Sequence, residues 1–422
     1  MKIYRNILND IEKWLRKPKI LILKGARQVG KTTILKYLAH KLEAENKTVK
    51  YFSVDRELDN PLFNDANLLI RFIKDQYNGK FLYLFLDEFQ YIKNAGLFLK
   101  VVFDELKENC QIIVSGSSSL EITKNSEFLT GRKISFTVRT LSFNEFVNYK
   151  SEYEFNQIFN INKLKHLISF DSIYGKELQT LLVEYLNYGG YPEICTTSDY
   201  ESKEIILKEL ISTYIQRDIS AFFHIHNISG FSNLLKVLIS QSGNLVNKNE
   251  LSNSLNLGHD TINKYLAILE GTYVLNFIKP FFTNVRKELT KMPKVYSSDF
   301  GFNKILARKA EIETYEFIEG YLIENFVFKE LQNKFSDESI FFYRTISKAE
   351  IDFIIQKEEK LIPLEVKFSR KQINLPIVMK NFNAKFKNVD KNIIITKNNL
   401  DYNKKLNCFF IPVYLLPFIE LS

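Results

Sequence analysis

The glycine-rich segment Gly25-Ala-Arg-Gln-Val-Gly-Lys-Thr-Thr33 has the residue types that surround phosphates. It satisfies the pattern G-x-x-x-x-G-K-[ST], in which glycines let backbone N–H groups fold around the anion. Lys31 would reach the β- and γ-phosphates, and the Thr32 hydroxyl would bind Mg²⁺. The alternative is a chance turn beside a surface lysine. The segment predicts a nucleoside triphosphate site formed by Gly25, Ala26, Arg27, Gln28, Val29, Gly30, Lys31, Thr32 and Thr33.

Two consecutive carboxylates, Asp87 and Glu88, end an apolar segment that begins at Phe81. Ligands of α/β proteins bind where such strands end, so both carboxylates would face the phosphates. Asp87 suits Mg²⁺, directly or through water. Glu88 suits activation of the attacking water, which favours hydrolysis over nucleotide binding alone. Otherwise the pair is an ordinary charged junction between a strand and a loop.

Hydroxyl and guanidinium groups follow a second apolar segment, which ends at Val114. Ser115 and Ser117 stand where a sensor residue would hold the attacking water or the γ-phosphate; the alternative for each is an ordinary turn serine. Arg132 follows Gly131 further along the chain. It could act as an arginine finger on the nucleotide of a neighbouring subunit, or it could be a surface arginine.

A set of acidic residues with one lysine lies in the last quarter of the chain. Glu324 sits in a helical pattern, Asp352 in a predicted strand, and Glu365-Val-Lys367 in the next strand. The period of two puts Glu365 and Lys367 on one face. Asp352 and Glu365 could bind Mg²⁺ while Lys367 polarises the hydrolytic water. The alternatives are a chance Glu-Val-Lys or a fold that binds DNA or protein without cleavage.

A helix–turn–helix pattern lies between residues 247 and 296. Asn247 and Asp260 suit the caps of helices at 251–255 and 261–270, and strand-like segments follow at 274–278 and 294–296. This order predicts a winged helix, although such a module could instead contact proteins or pack internally. The residues that would contact bases and phosphates are Thr261, Asn263, Lys264, Arg286, Lys287, Lys291 and Lys294.

Short apolar strands and amphipathic helices must position these groups. A strand at 20–23 precedes the glycine-rich segment, and a helix begins at Thr32. Nearly continuous apolar strands are typical of a parallel sheet covered by helices on both faces. Further strands are predicted at 50–54, 81–86, 111–114 and 134–138. After residue 311 the predicted elements are a helix at 320–331 and strands at 340–343, 351–355, 362–366 and 392–396.

Composition limits the classes of protein. The 422 residues are 45% hydrophobic and 25% charged, which excludes disordered, collagen-like and coiled-coil proteins. Apolar runs are far shorter than the roughly 18 residues of a membrane helix, and the three cysteines form neither a disulfide framework nor a zinc pattern. We expect a cytoplasmic protein without membrane segments. The net charge of +9 permits a nucleic-acid partner, although a biased genome would also explain it.

These motifs resemble AAA-type ATPases of the additional-strand P-loop class. More closely, they are similar to a bacterial and archaeal family in which such a domain precedes a C-terminal domain of unknown function. The resemblance implies ATP binding and hydrolysis. The matching segments are 24–33, 86–90, 114–118, 130–132, 141–146, 188–193, 214–219 and 294–299. Glu324, Asp352 and Glu365-Val-Lys367 separately resemble the core of restriction-endonuclease-like nucleases.

The predicted fold class is α/β: a P-loop NTPase parallel sheet, a helical and winged-helix region, and a C-terminal restriction-endonuclease-like α/β domain. We predict four domains. Residues 1–150 form the ATPase domain, 151–240 a helical lid-like region, 241–310 the winged helix, and 311–422 the nuclease-like domain.

Three hypotheses about function remain open. The first is a DNA-associated ATPase that uses ATP and Mg²⁺, with a homo-oligomer required if Arg132 acts between subunits. The second adds Mg²⁺-dependent DNA cleavage at Asp352, Glu365 and Lys367. The third is an NTP-dependent scaffold or switch that acts on protein partners without DNA.

Overall fold

The computed structural model describes residues 2–77, 79–116, 129–216, 219, 223, 225–282, 291–308, 310–368 and 374–421. Ser117, Arg286 and Lys287 lie outside these residues. The chain packs as two compact units. The first unit is Met1–Leu141 with Tyr191–Glu193 and Gly271–Val274; the second is Ser142–Gly190, Ile194–Glu270 and Leu275–Ser422.

A five-stranded parallel sheet forms the centre of the first unit. Its strands are β1 Ile20–Lys24, β2 Thr48–Ser53, β3 Leu82–Asp87, β4 Cys110–Gly116 and β5 Lys133–Thr137. They stand in the order β2-β3-β4-β1-β5, and every neighbouring pair is parallel. Strand β4 therefore separates the strand before the glycine-rich segment from the strand that ends at Asp87. This is the additional strand that the family resemblance implied.

Helices cover this sheet because their apolar faces pack on strands that are buried on both sides. Strands β3 and β4 are buried along their whole length. Leu84 and Ile112 join Leu99 and Ile70 in one apolar cluster, which removes a large apolar area from water. The helices of this region are α1 Ile7–Glu12, α2 Lys31–Ala44, α3 Ala66–Gln76 and α4 Ala95–Leu106.

From residue 142 onward the chain is first mainly helical. Ser142 begins this region with a capping box, in which its hydroxyl accepts from the Glu145 N–H and the Glu145 carboxylate accepts from the Ser142 N–H. The helices are α5 Phe143–Lys150, α6 Leu164–Tyr188, α7 Pro192–Thr196, α8 Tyr200–Thr213, α9 Ile228–Ser240, α10 Lys248–Leu255, α11 His259–Gly271, α12 Phe300–Leu306, α13 Gly320–Lys334 and α14 Ile377–Lys385.

A mixed six-stranded sheet dominates the rest of the second unit. Its strands are β9 Ile340–Arg344, β10 Glu350–Lys357, β11 Lys360–Lys367, β12 Asn392–Thr396, β13 Asp401–Asn403 and β14 Cys408–Pro412, in the order β13-β14-β12-β11-β10-β9. Two strand pairs complete the unit. The antiparallel pair is β7 Leu275–Ile278 with β8 Lys294–Ser297, and the parallel pair is β6 Phe159–Asn160 with β15 Ile419–Glu420.

The predicted α/β fold class is confirmed: a parallel sheet is followed by a helical region and a mixed sheet. The main segment of the first unit, however, ends at Leu141, and α5 packs in the second unit. The division into four domains therefore stays a prediction. Within the residues that the structure describes, no helix is long and apolar enough to cross a membrane, and Cys110, Cys195 and Cys408 are free and buried.

Of the two helix caps predicted for the helix–turn–helix pattern, Asn247 is a cap and Asp260 is not. The side chain of Asn247 accepts from the N–H groups of Asn249 and Glu250, so this predicted cap is confirmed. Helix α11 begins at His259, one residue before Asp260, so the prediction of Asp260 as its cap is wrong. Asp260 instead lies in the first turn, where a negative charge is still favourable.

Asp299 explains why two of the resembling segments, 188–193 and 294–299, contain glycines and an aspartate. It is 2% exposed, and its carboxylate accepts from the N–H groups of Gly190 (2.8 Å) and Gly301 (3.0 Å). Gly189 has φ +80°, and a Cβ atom there would overlap the Asp299 carboxylate. These residues therefore join the end of α6 to the start of α12, which is a structural role.

Candidate nucleotide site and a buried charge cluster

The P-loop, defined here as Gly25–Thr32, requires glycine where it leaves β1. Gly25 has φ +152°, and a Cβ atom at this position would overlap the carbonyl oxygen of Val138. The Val138 N–H also donates to the Lys24 carbonyl at 2.7 Å, so the two backbones are held together. A side chain at residue 25 would push apart the two segments that extend β1 and β5.

The end of the P-loop points the start of α2 toward the site. Gly30 is left-handed (φ +96°) and caps α2, while Gln28 is the non-glycine residue of the loop with positive φ (+59°). Lys31 is 5% exposed, and its ammonium donates to the carbonyls of Gly25 (2.9 Å) and Ala26 (2.7 Å). A helix N-terminus, loop N–H groups and a lysine are thus arranged as in an anion site.

Arg5 supports the loop from outside the motif. Its guanidinium is buried and donates to the carbonyls of Val29 (2.8 Å) and Arg139 (2.7 Å). Sequence reasoning missed this residue, because nothing in its local pattern indicates a partner 24 residues away.

Asp87 is 1% exposed and held by two hydroxyl groups. The Tyr51 hydroxyl donates to its Oδ2 atom at 2.8 Å, and the Ser115 hydroxyl donates to Oδ1. Burial, together with Asp87, raises the pKa of Tyr51, so this phenol remains a donor. Oδ1 also accepts from the Glu88 N–H at 3.2 Å, so Oδ2 is the oxygen with a second lone pair for Mg²⁺ or its water. Tyr51 was missed from the sequence because it lies inside β2, whereas Ser115 was found at a strand end.

Glu88 follows in a strained conformation. Its φ is +54°, which is uncommon for a residue other than glycine and is typical of functional sites. Its N–H donates to the Ser115 hydroxyl at 3.2 Å, and the Gln90 amide donates to its carboxylate. Ser115 therefore fixes both acidic residues through one hydroxyl, and whether it also senses the γ-phosphate stays a prediction.

The strand register brings these groups to one edge of the sheet. Leu86 is paired with Val114, which makes Asp87 and Ser115 neighbours, and Ser115 is paired with Leu23 just before the P-loop. Two strand spacings separate β1 from β3, so Asp87 lies about 10 Å across the sheet from the end of β1. A triphosphate with its metal ion spans this kind of distance.

Arg132 lies at the opposite edge of the same sheet. Its carbonyl accepts from the N–H of Ile20, at the start of β1. Its guanidinium is paired with Asp104, with Nε–Oδ1 at 2.7 Å and Nη2–Oδ2 at 3.0 Å. Arg132 is therefore away from the P-loop of its own chain, and a finger role would require a second subunit.

In the second unit, the predicted acidic residues do come together. Val366 N–H donates to Asp352 Oδ2 at 2.8 Å, Asp352 N–H donates to Glu365 at 3.3 Å, and Lys367 donates to Glu365. The prediction that Glu365 and Lys367 share a face is confirmed. Burial, then Glu324 and Glu365, raise the pKa of Asp352, and burial raises the pKa of Glu365.

Lys294 corrects the sequence analysis. It was predicted to lie on the wing and contact DNA phosphates, but it is 2% exposed and cannot do so. Its ammonium lies 2.9 Å from Glu324 Oε1 and 2.5 Å from Glu350 Oε1. Burial opposes its charge, but Glu324, Asp352 and Glu350 raise the pKa of Lys294. Sequence gave no sign of this, because β8 is far from α13 and β10 along the chain.

We call Lys294, Glu324, Glu350, Asp352, Glu365 and Lys367 the acid–lysine cluster. The Tyr296 hydroxyl also donates to Glu324, at 2.8 Å. Across the described ranges, no three Asp, Glu, His or Cys side chains are grouped as a metal site. The two lysines lie beside three of the four carboxylates, Glu324, Glu350 and Glu365, and the two metal ligands predicted here, Asp352 and Glu365, stay a prediction.

Comparison with known proteins identifies part of the chain. Residues 17–147 match the family model described as "AAA domain". They form an AAA-type ATPase domain. Residues 179–312 and 319–416 match two models described as domains of unknown function, DUF8612 and DUF4143.

The names of two similar proteins state no activity. An uncharacterized protein of Methanocaldococcus jannaschii is 28% identical over 361 residues, 84% of this chain and 76% of the relative. A second uncharacterized protein of that archaeon is 27% identical over 345 residues, 77% and 69% of the two chains. The DNA-bound Orc1 protein of Aeropyrum pernix has a TM-score of 0.32 at 10% identity, covering 73% of this chain and 94% of the other. A TM-score this low supports no functional conclusion.

The predicted recognition helix, α11, has one buried and one exposed face. Its buried face contains Ile262, Tyr265 and Leu269, whereas Asn263 and Lys264 are exposed. Thr261 is half-buried, and Lys291 is exposed before β8. The exposed face is thus available to a partner, and contact of Thr261, Asn263, Lys264 and Lys291 with DNA stays a prediction.

Proposed function

We propose that the chain binds MgATP at the P-loop and hydrolyses it. The observation that carries this proposal is the common edge of β1, β3 and β4, where the P-loop, Asp87, Glu88 and Ser115 meet. Lys31 and the start of α2 supply positive charge for the phosphates, and Glu88 supplies a base beside them.

The residues present fit a magnesium ion bound with the nucleotide. Thr32 and Asp87 would hold it, and the ion would neutralise phosphate charge during transfer. Asp87 accepts hydroxyl hydrogens on both oxygens, which orients the carboxylate without neutralising it. Gln90 orients Glu88 toward the attacking water.

We further propose that the ATPase acts with DNA. Its support is the exposed face of α11, with Asn263 and Lys264, and the net charge of +9. A winged helix built from α10, α11, β7 and β8 would transmit the nucleotide state to DNA.

ATP turnover, measured with and without DNA, tests both statements. Lys31→Ala and Glu88→Gln are each expected to lower turnover by roughly 10²–10⁴-fold, since each removes charge stabilisation or a base. Lys36→Ala is the control, because Lys36 is an exposed lysine on the same helix. Full turnover by Lys31→Ala would refute the ATPase proposal. Failure of DNA to bind at low salt would favour a scaffold that acts on proteins.

Mg²⁺-dependent DNA cleavage by the acid–lysine cluster is a second candidate function. It is favoured because α13, β10 and β11 bring Glu324, Asp352, Glu365 and Lys367 together. Asp352 and Glu365 would be the metal ligands of a restriction-endonuclease-like fold. If plasmid, linear and single-stranded DNA all stay intact with Mg²⁺ or Mn²⁺, this candidate is wrong; if they are cut, Asp352→Ala should stop the cutting.

A further inference from the structure

An aromatic pocket with cations lies at the β9 edge of the six-stranded sheet. Its volume is about 610 Å³, within the range of sites for small organic groups. The residues that matter here are Phe281, Phe282, Tyr343, Arg344, Lys385 and Phe386.

The rings of the pocket are fixed by packing against one another. Phe281 and Phe386 meet edge to face with centroids 5.5 Å apart, and Tyr343 and Phe386 do so at 6.2 Å. Tyr343 also packs on Phe382 at 4.9 Å, and Phe382 belongs to the apolar core. Phe281, Tyr343 and Phe386 are therefore held by neighbouring rings, which lowers the entropy that these side chains lose on binding.

Two cations accompany these rings. The Lys385 ammonium lies 5.0 Å from the centroid of Phe386 and 5.7 Å from that of Tyr343. Arg344 lines the same pocket. Aromatic faces beside positive charge are the composition of sites that stack bases and attract the phosphate backbone.

The pocket is connected to the acid–lysine cluster through one carboxylate. Arg344 Nη1 donates to Glu350 Oε2 at 3.1 Å, and Glu350 Oε1 lies 2.5 Å from the Lys294 ammonium. Glu350 therefore contacts both Arg344 of the pocket and Lys294 of the cluster, so a ligand bound to Arg344 is one residue away from the cluster.

We infer that this pocket binds a base of single-stranded nucleic acid. A single strand is favoured over a duplex because paired bases are stacked inside the helix, where side-chain rings cannot reach them. A polyanion is favoured over an aromatic peptide because the side chains beside the rings are cations. The inference rests on the proposed association with DNA and names the form of DNA that is bound.

Fluorescence anisotropy on the full chain tests this inference with three labelled 15-nucleotide probes: oligo(dT), an abasic strand of the same charge, and a blunt duplex. Stacking on one aromatic site predicts that oligo(dT) binds roughly tenfold tighter than the abasic strand at equal salt. Equal affinity for oligo(dT) and the abasic strand, or tighter binding of the duplex, would overturn the inference.

Variants locate the effect. Phe282→Ala is expected to remove most of the difference between oligo(dT) and the abasic strand, whereas Phe282→Tyr keeps a ring and should retain it. Lys385→Ala should lower the affinity for both oligo(dT) and the abasic strand. Lys348→Ala is the control for charge, because Lys348 is exposed in the turn after β9 and does not line the pocket. If Lys348→Ala weakens binding as much as Lys385→Ala, the pocket is not the site.

ATP turnover without DNA separates this inference from the proposed function. Phe282→Ala should hydrolyse ATP at the wild-type rate, with an unchanged thermal unfolding midpoint. Loss of base binding with intact turnover supports the pocket alone, whereas wild-type protein that turns over ATP but does not distinguish the probes refutes the pocket and leaves the ATPase standing.

Discussion

The P-loop site and the acid–lysine cluster both contain buried acidic and basic groups, but they compensate charge differently. At the P-loop, Asp87 is held by the hydroxyls of Tyr51 and Ser115, and Lys31 donates to backbone carbonyls. In the cluster, Glu324 and Glu350 face the Lys294 ammonium directly. The partners described for Asp87 and Lys31 are neutral groups, whereas Glu324, Glu350 and Glu365 of the cluster each lie beside a lysine.

This difference has a consequence for what each region can tolerate. Losing one neutral partner of a charged group costs about 1.5–3 kcal/mol, whereas removing one partner of a buried ion pair leaves an uncompensated charge and costs about 3–5 kcal/mol. The P-loop site should therefore be sensitive in activity, and the cluster in stability.

The largest effect is expected for Lys294→Met. The variant leaves Glu324 and Glu350 without their buried ammonium and should lower the free energy of unfolding by about 3–5 kcal/mol. Urea denaturation measures this value. Lys360→Met is the matched control, because Lys360 is exposed and its pair with the half-buried Asp390 should contribute only about 0–1 kcal/mol. If both variants lower the free energy of unfolding equally, Lys294 does not compensate the buried carboxylates of Glu324 and Glu350.

Gly25→Ala should break the P-loop site. The added methyl group overlaps the Val138 carbonyl, so the loop must move, and we expect binding of a fluorescent ATP analogue to weaken by roughly 100-fold, about 2.7 kcal/mol. Gly131→Ala is the control, since Gly131 also has positive φ (+74°) but no heavy atom within 4 Å of the added carbon. An unchanged dissociation constant for Gly25→Ala would contradict the assignment.

The free energy of unfolding should depend on pH because of the acid–lysine cluster. Asp352 and Glu365 have raised pKa values when folded, so the folded state binds more protons than the unfolded state in mildly acidic solution. Their contribution to stability therefore increases as pH falls through the folded pKa toward the unfolded value near about 4. Asp352→Asn should reduce this increase, which urea denaturation at each pH from 7 to 4 measures. If the free energy of unfolding changes with pH equally in the variant and the wild type, Asp352 is not responsible.

The smallest effect is expected for Tyr51→Phe. It removes one hydroxyl donor from Asp87 while keeping the ring, which stacks on Phe85 with centroids 6.3 Å apart. We expect turnover to fall by roughly 3–10-fold, in line with about 1 kcal/mol for one hydrogen bond. The apparent affinity for Mg²⁺ should weaken, and a change in turnover without a change in Mg²⁺ dependence would argue against a role through Asp87.

The P-loop could be predicted from sequence because its chemistry depends on neighbouring residues. Gly25, Gly30 and Lys31 act through the backbone that they themselves form, and Asp87 and Ser115 were found because strands end where parallel sheets bind ligands. The period of two was sufficient to place Glu365 beside Lys367.

The rest depended on long-range packing that no local pattern contains. Lys294 has the same type and spacing as an exposed basic residue, and only the packing of β8 against α13 and β10 makes it an internal ion-pair partner. Tyr51 and Arg5 reach their partners across 36 and 24 residues, so neither is marked by a motif. Helix α11 begins two residues earlier than predicted, so Asp260 lies inside the helix and not at its cap.

The short pair β6–β15 bears on how the protein folds during synthesis. It joins Phe159–Asn160 to Ile419–Glu420, and Phe418 beside it packs on Phe155 and Phe170. More than half of the chain lies between these partners, so closing this contact is slow and late. During synthesis, the face of α6 that carries Phe170 lacks the Phe418 ring until the end of the chain has left the ribosome, and exposed apolar surface of this kind is prone to aggregation.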